Sequence, residues 1–193
     1  MDYSSRQIEI IEAATRLIGE KGLQNLTTKH LAAEMGFSEP ALYRHFKGKT
    51  EILSSVLSFY RATLQKGLKE IVASDLSGLA KLERLLKFQF NHFANNPAIV
   101  MVIFAEASFQ YEKKLSEMVL TILNNKKMMV ESIIKSGQVD GSIRGDIDAS
   151  SLVSFFMGGM RFTILRWRLN EYDFDLVKEG QHLWEGVEKI MTK

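Results

Sequence analysis

The stretch from Thr27 to Lys49 holds the residues whose types and spacing point to chemistry. Ala32 stands four residues before Gly36, and Leu42 six after it. Two helices joined by a tight turn need this pattern: a small residue where they touch, a glycine free to take positive φ, and an apolar residue pinning the second helix. Leu31, Met35, Phe37 and Phe46 add apolar anchors. Held this way, the second helix leaves Glu39, Ala41, Tyr43, Arg44 and His45 available to the major groove of a duplex.

Other constellations fail on inspection. Gly48-Lys49-Thr50 imitates the end of a phosphate-binding loop, but Tyr43 stands where its first glycine belongs and no strand precedes it. The run from Asp140 to Asp146 imitates a calcium loop, yet Arg144 takes a ligand position and Ser151 replaces the closing glutamate. The four histidines are scattered, no Gly-x-Ser-x-Gly elbow occurs, and the absence of cysteine removes thiolate chemistry and sulfur-ligated zinc. The expectation is therefore no enzyme, no cofactor and no metal. A reducing, cytoplasmic setting fits. The N-terminus meets charge before any apolar run, and the longest apolar stretch, 97–105, is too short to span a bilayer, so no membrane partner is expected.

Positioning falls to helices. The 193 residues are 46% hydrophobic and 25% charged with two prolines, a globular composition poor in helix breakers. Apolar residues recur at helical spacing almost everywhere. The pattern predicts helices over 4–21, 28–35, 38–46, 49–74, 79–95, 97–106, 108–136 and 149–170, with a last one from Asp173 or Asp175 to 191. Thr27, Ser38 and Asp148 are the expected N-caps, and Pro40 falls in a first turn that tolerates a missing N–H. The expected fold is all-α with about nine helices: a three-helix head, 1–48, on a larger helical body, 49–193.

The segment from Gly36 to Lys49 resembles the recognition segment of the TetR family of bacterial transcriptional regulators. Leu26-Thr27-Thr28-Lys29-His30-Leu31-Ala32 is similar to that family's second helix, and Ala13-Ala14-x-x-Leu17-Ile18-x-x-x-Gly22 to its first. The resemblance implies that Thr28, Tyr43, His45 and Lys49 hold phosphates while Ser38, Glu39, Ala41 and Arg44 face bases, with Thr27, Lys29 and Leu42 in the same DNA-binding set. Glu39 has an equal alternative, stabilising its own helix N-terminus. Residues 1–53 carry no net charge: Arg6, Arg16, Lys21, Lys29, Arg44, Lys47 and Lys49 are matched by Asp2, Glu9, Glu12, Glu20, Glu34, Glu39 and Glu51. Lys29, Arg44, Lys47 and Lys49 crowd the groove side, so tight binding needs two heads and falls steeply with salt.

The body has two expected tasks. Gln89, Phe93, Phe104, Phe109, Met118, Phe156 and Met160 read from their types alone as core; the resemblance implies that they line a pocket for a small, mainly apolar effector. His92 and Glu106 are further polar candidates for orienting it. The last helix shows two apolar stripes, one of Leu176, Gly180, Leu183, Val187 and Ile190, the other of Val177, Trp184 and Met191. A helix with two stripes must bury both. With Gly159, Phe162 and Arg166 on the preceding helix, Leu176, Gly180, Leu183, Trp184 and Val187 resemble the family's intersubunit four-helix bundle; the alternative is packing of the glycines inside one chain. The resemblance implies a homodimeric, nucleoid-associated repressor on a palindromic operator of double-stranded DNA. A regulator without small-molecule sensing and a helical dimeric interaction protein are the alternatives.

Overall fold

The computed structural model describes residues 3–105 and 112–192. Among these residues there are nine α-helices and no strand: α1 (Ser5–Lys21), α2 (Thr28–Glu34), α3 (Glu39–Tyr43), α4 (Lys49–Ala73), α5 (Gly78–Asn95), α6 (Pro97–Ile103), α7 (Lys113–Asp140), α8 (Ala149–Leu169) and α9 (Leu176–Met191). A single 3-10 turn, Leu23–Asn25, lies between α1 and α2. It has no apolar period to betray it.

Helix ends follow local side-chain chemistry. Ser4 and Gln7 form a reciprocal capping box at α1, and Thr27 accepts from the His30 N–H to open α2. Asp148 caps α8 through the Ser151 N–H. Asp175, rather than Asp173, caps α9, accepting from the Val177 and Lys178 N–H groups. Ser38 holds the N-cap position of α3 with an extended backbone, but its hydroxyl makes no capping bond. The helix it opens is shorter than the sequence pattern predicts, and 44–46 close it as a turn, with His45 and Phe46 both donating to the Leu42 carbonyl.

The chain forms two compact units. The first takes residues 1–63 and 97–120, the second 64–96 and 121–193. The core of the first unit is made by the inward stripe of α1, Ile10, Ile11, Ala14, Leu17 and Ile18, with Leu31, Leu42, Phe46, Ile52 and Val56. Gly19 of α1 lies so close to α6 that a Cβ there would stand 2.8 Å from the Ala98 Cβ.

In the second unit, Leu82, Leu86, Phe90, Ile134, Leu152, Phe156 and Trp184 form the core. α5 and α7 meet backbone to backbone where Gly78 opposes Gly137; a Cβ on Gly78 would lie 2.3 Å from the Gly137 Cα. Asp140 accepts from the Gly78 N–H and Ser142 from the Leu79 N–H, which closes this crossing. α7 therefore runs through Gly137 to Asp140, beyond the end predicted at 136. Between α8 and α9, Glu171 and Tyr172 take left-handed φ values of 53° and 65°. Their cost is offset by the Tyr172 N–H donating to the Trp167 carbonyl, the Tyr172 ring standing edge-on to Trp167 at 4.7 Å, and the Trp167 indole donating to the Phe174 carbonyl.

Gly180 of α9 faces Phe90, and an added Cβ would stand 2.1 Å from its ring. Gly180→Ala should destabilise the protein by about 1–2 kcal/mol, less than a clash with backbone because the ring can rotate. Urea denaturation would measure it, and an unchanged midpoint would refute the close approach.

Candidate nucleic-acid interface

The turn between α2 and α3 is built as its residues require. Gly36 has φ +68° and open space around it, and the Phe37 N–H returns to the Ala32 carbonyl at 2.8 Å. Leu31, Ala32, Leu42 and Phe46 are buried, so the two short helices are clamped by apolar contacts that neither could supply alone. The α1 side chains reach the same place: Gln7 donates to the His45 carbonyl, and the Arg6 guanidinium lies 4.8 Å from the Phe37 ring centre.

This clamp leaves Thr27, Lys29, Ser38, Tyr43 and Arg44 exposed, with Thr28, Glu39, Ala41, His45 and Lys49 half-buried. Leu42 is the exception in the expected set. It is fully buried and has no surface to offer a duplex; its part is to anchor α3. Glu39 stands in the first turn of α3, where its charge favours the helix N-terminus, and it also bonds across to α2. Its carboxylate accepts from the Thr28 hydroxyl at 2.5 Å, and the same hydroxyl oxygen lies 3.4 Å from the Tyr43 hydroxyl. The two helices are thus stitched on their outer side as well as packed on the inner one. Lys49, at the start of α4, donates to the Leu23 carbonyl at 3.2 Å, which ties that helix to the 3-10 turn. Glu51 accepts from the Lys47 N–H and closes the first turn of α4.

In the second unit, α8 and α9 pack together with an apolar groove along their outer side. The groove has a volume of about 350 Å3 and is lined by Phe155, Gly159, Leu183, Gly186 and Ile190, with Val187 and Phe156 beneath. Phe155 is 59% and Phe162 63% exposed, values unusual for phenylalanine. Arg166 donates to Glu179 at 3.2 Å and lies over the Phe174 ring, joining α8 to the start of α9. The two stripes of α9 sort differently from the sequence pattern. Leu176, Gly180, Trp184, Val187 and Met191 point inward, while Val177, Leu183, Gly186 and Ile190 are at least partly open. The placing of Leu176, Gly180 and Trp184 on a surface between copies is therefore corrected: their own chain covers them. The inward turn of this stripe follows from the fit of Gly180 against the Phe90 ring, a shape match that hydrophobicity does not encode.

The expected pocket residues divide between the units. Gln89, Phe93, Phe156 and Met160 are buried in the second unit; Phe104, buried, and Met118, half-buried, belong to the first. Phe109 and Glu106 lie outside the described residues. His92 stacks on Phe88, and loss of water holds its pKa below the usual histidine range. Gln89 accepts a hydrogen bond at 3.0 Å from Lys126 of α7, a residue sequence reasoning missed. The signal was present. The apolar face of α7 steps through Val119, Ile122, Val130, Ile133 and Gly137, and Lys126 falls on that line, four residues after Ile122 and four before Val130. Desolvation brings its pKa down to about 8. Among the described residues no helix is long and apolar enough to cross a membrane, and no cluster of three or more metal-ligating side chains occurs.

A helix-turn-helix head with an all-helical body is the class these features define. The family model for bacterial regulatory proteins of the tetR family matches residues 10–56, and the model for the C-terminal region of YsiA-like proteins matches 62–189. The chain belongs to the tetR family of bacterial regulatory proteins. The repressor KstR2 of Mycolicibacterium smegmatis is 27% identical over 164 residues, 85% of this chain and 80% of that one. The nucleoid occlusion factor SlmA of Aliivibrio fischeri is 22% identical over 181 residues, 93% of this chain and 92% of that one. FadR of Bacillus subtilis, solved in complex with stearoyl-CoA, superposes with a TM-score of 0.83 at 21% identity, covering 95% of this chain and 98% of that one.

Proposed function

We propose that the protein is a transcriptional repressor that binds a palindromic operator as a homodimer and is released by a small, mainly apolar effector. Residues 1–48 act as the DNA-binding head and 49–193 as the effector-binding and dimerisation body. The observation that carries the reading is the exposed outer side of α3, fixed by the buried Leu31, Ala32, Leu42 and Phe46 and matched by the tetR family model. Thr28, Tyr43, His45 and Lys49 serve as phosphate contacts, with Thr27 and Lys29 beside them; Ser38, Glu39, Ala41 and Arg44 face base edges. The apolar groove of α8 and α9, with Gly159, Phe162 and Leu183 at its surface and Val187 beneath as its floor, is the surface that meets the second copy, and Arg166 lies beside it. Two-fold symmetry then sets the half-sites one helical turn apart, about 34 Å, or a multiple of it.

Fluorescence anisotropy with genomic fragments at several salt concentrations tests this. Affinity should fall steeply as salt rises, and a protein that ignores all duplexes at low ionic strength would refute the reading. Tyr43→Ala should weaken binding to every operator alike, by about tenfold, because a phosphate contact carries no sequence. Arg44→Ala should relax preference at one base pair per half-site, a loss worth about 1–3 kcal/mol of discrimination. An unchanged preference would remove Arg44 from the reading set.

Release follows if the effector favours an arrangement of the dimer in which the two heads no longer reach their grooves together. The stearoyl-CoA bound in the FadR neighbour supports an effector with a long apolar part. A second reading is a DNA-binding regulator without small-molecule sensing; the likeness to a nucleoid occlusion factor fits its nucleoid-bound part. Thermal-shift screening of amphiphiles separates the two: a reproducible upward shift supports the sensor, and a flat screen supports the alternative.

A further inference from the structure

α5 and α7 run antiparallel and form a wedge. At one end Gly78 and Gly137 put the two backbones in contact. From there to Gln89 on α5 and to Lys126 on α7 is eleven residues each way, about 16 Å of helix. At that level the helices are joined through two full side chains, the Lys126 Nζ donating to the Gln89 Oε1 at 3.0 Å. Gln89 is 4% exposed, and the same face of α5 carries the buried Leu85, Leu86 and Phe93.

This pair is incomplete. A lysine ammonium has three donors, and its one hydrogen bond among the described residues goes to a neutral amide. No carboxylate lies within ion-pair reach of it there, and no neighbouring charge offsets its loss of water. Lys126 is half-buried, so its charge is partly stripped of water without a counter-ion, and two of its donors are left for a ligand.

We propose that Lys126 and Gln89 form the polar end of the effector site and take an amphiphile whose head is an anionic oxygen group, a carboxylate or a phosphate, on an apolar body. The ammonium of Lys126 is the counter-ion. The Gln89 carbonyl oxygen keeps the ammonium aimed inward while the site is empty, and its amide nitrogen is a further donor to the head. The apolar side chains of α5 beside Gln89 receive the chain of the ligand. This rests on the reading of the body as an effector site and adds to it the chemistry of the ligand's head.

Isothermal titration calorimetry of the full-length protein with decanoate, decyl phosphate and decanol tests the assignment. One of the two acids should bind at least about tenfold more tightly than the alcohol. Which acid does so identifies the head. Lys126→Met should erase that preference while leaving decanol binding in place, and Lys126→Arg should restore part of it. Isotope-edited NMR of the methylated Lys126 amine should show its pKa rising when the preferred acid binds, a change that a purely structural lysine would not give. Equal affinity for all three probes, or a preference that survives Lys126→Met, overturns the assignment. If decanol binds as well as the acids and still releases operator DNA, the sensor reading stands and the head assignment falls. If an acid binds through Lys126 and DNA is not released, the assignment stands and the sensor reading falls. Binding of none of the three overturns both.

Discussion

Phe162→Arg should purify as a monomer and lose operator affinity by about a hundredfold or more. Phe162 is 63% exposed on α8, so the larger charged side chain meets no packed neighbour and the single chain should fold as before. A second copy placed on the α8–α9 groove would bring two such arginines into an apolar contact, where unpaired charge costs several kcal/mol. The loss at the operator has a separate cause. Two linked heads bind with a high effective concentration of the second once the first is seated, worth about a hundredfold to ten-thousandfold in affinity. A lone head with no net charge has little to replace that gain. Analytical ultracentrifugation with anisotropy on the same sample checks both halves. A dimer that persists would move the interface elsewhere, and a monomer that binds as tightly would show that pairing of heads is not what holds the operator.

Lys126→Met should raise stability at pH 7 by about 1–3 kcal/mol, and the gain should fade as pH rises. The folded-state pKa of Lys126 is lowered to about 8 from the ordinary 10.5. Below pH 8 the amine is protonated in both folded and unfolded chains, so the folded state carries the cost of a partly desolvated charge. Between pH 8 and 10.5 the folded chain sheds its proton first, and the cost drains away. Above that range both states are neutral. A shift of this size corresponds to about 3 kcal/mol at most, reduced by the hydrogen bond to Gln89 that methionine cannot make. Urea denaturation of the two proteins at pH 7 and pH 10 measures the difference. A gain that does not shrink with pH would place its origin in packing rather than charge.

The helix-turn-helix was legible because it depends on local rules. Gly36 is where a left-handed turn needs it, Thr27 caps α2, and the spacing of Ala32 and Leu42 fixes the crossing of two helices within the sixteen residues 28–43. Pairings across the chain were not legible. Nothing in the sequence states that Glu39 bonds to Thr28, that Lys49 reaches the Leu23 carbonyl, or that Gly78 meets Gly137. The stripes of α9 show the limit most clearly, since Leu176 and Leu183 are equally apolar and only the fit of Gly180 against Phe90 decides which side turns inward. Lys126 was hidden for the opposite reason. Its type suggested solvent, and only its place on the apolar line of α7 said otherwise.

If Thr28 and Glu39 meet the operator as proposed, the bond between them shapes how the protein searches DNA. A hydroxyl has one proton to give, and here it is already committed to a carboxylate. A duplex that brings nothing but phosphates to this spot must compete with that acid and be repelled by it, so stays on unrelated sequence are brief. A duplex that offers the acid an amino group, as cytosine does, frees the hydroxyl for the backbone. Under the proposed contacts, recognition of a base and grip on the strand would be coupled through a single atom, and the target would be distinguished by how long it is held.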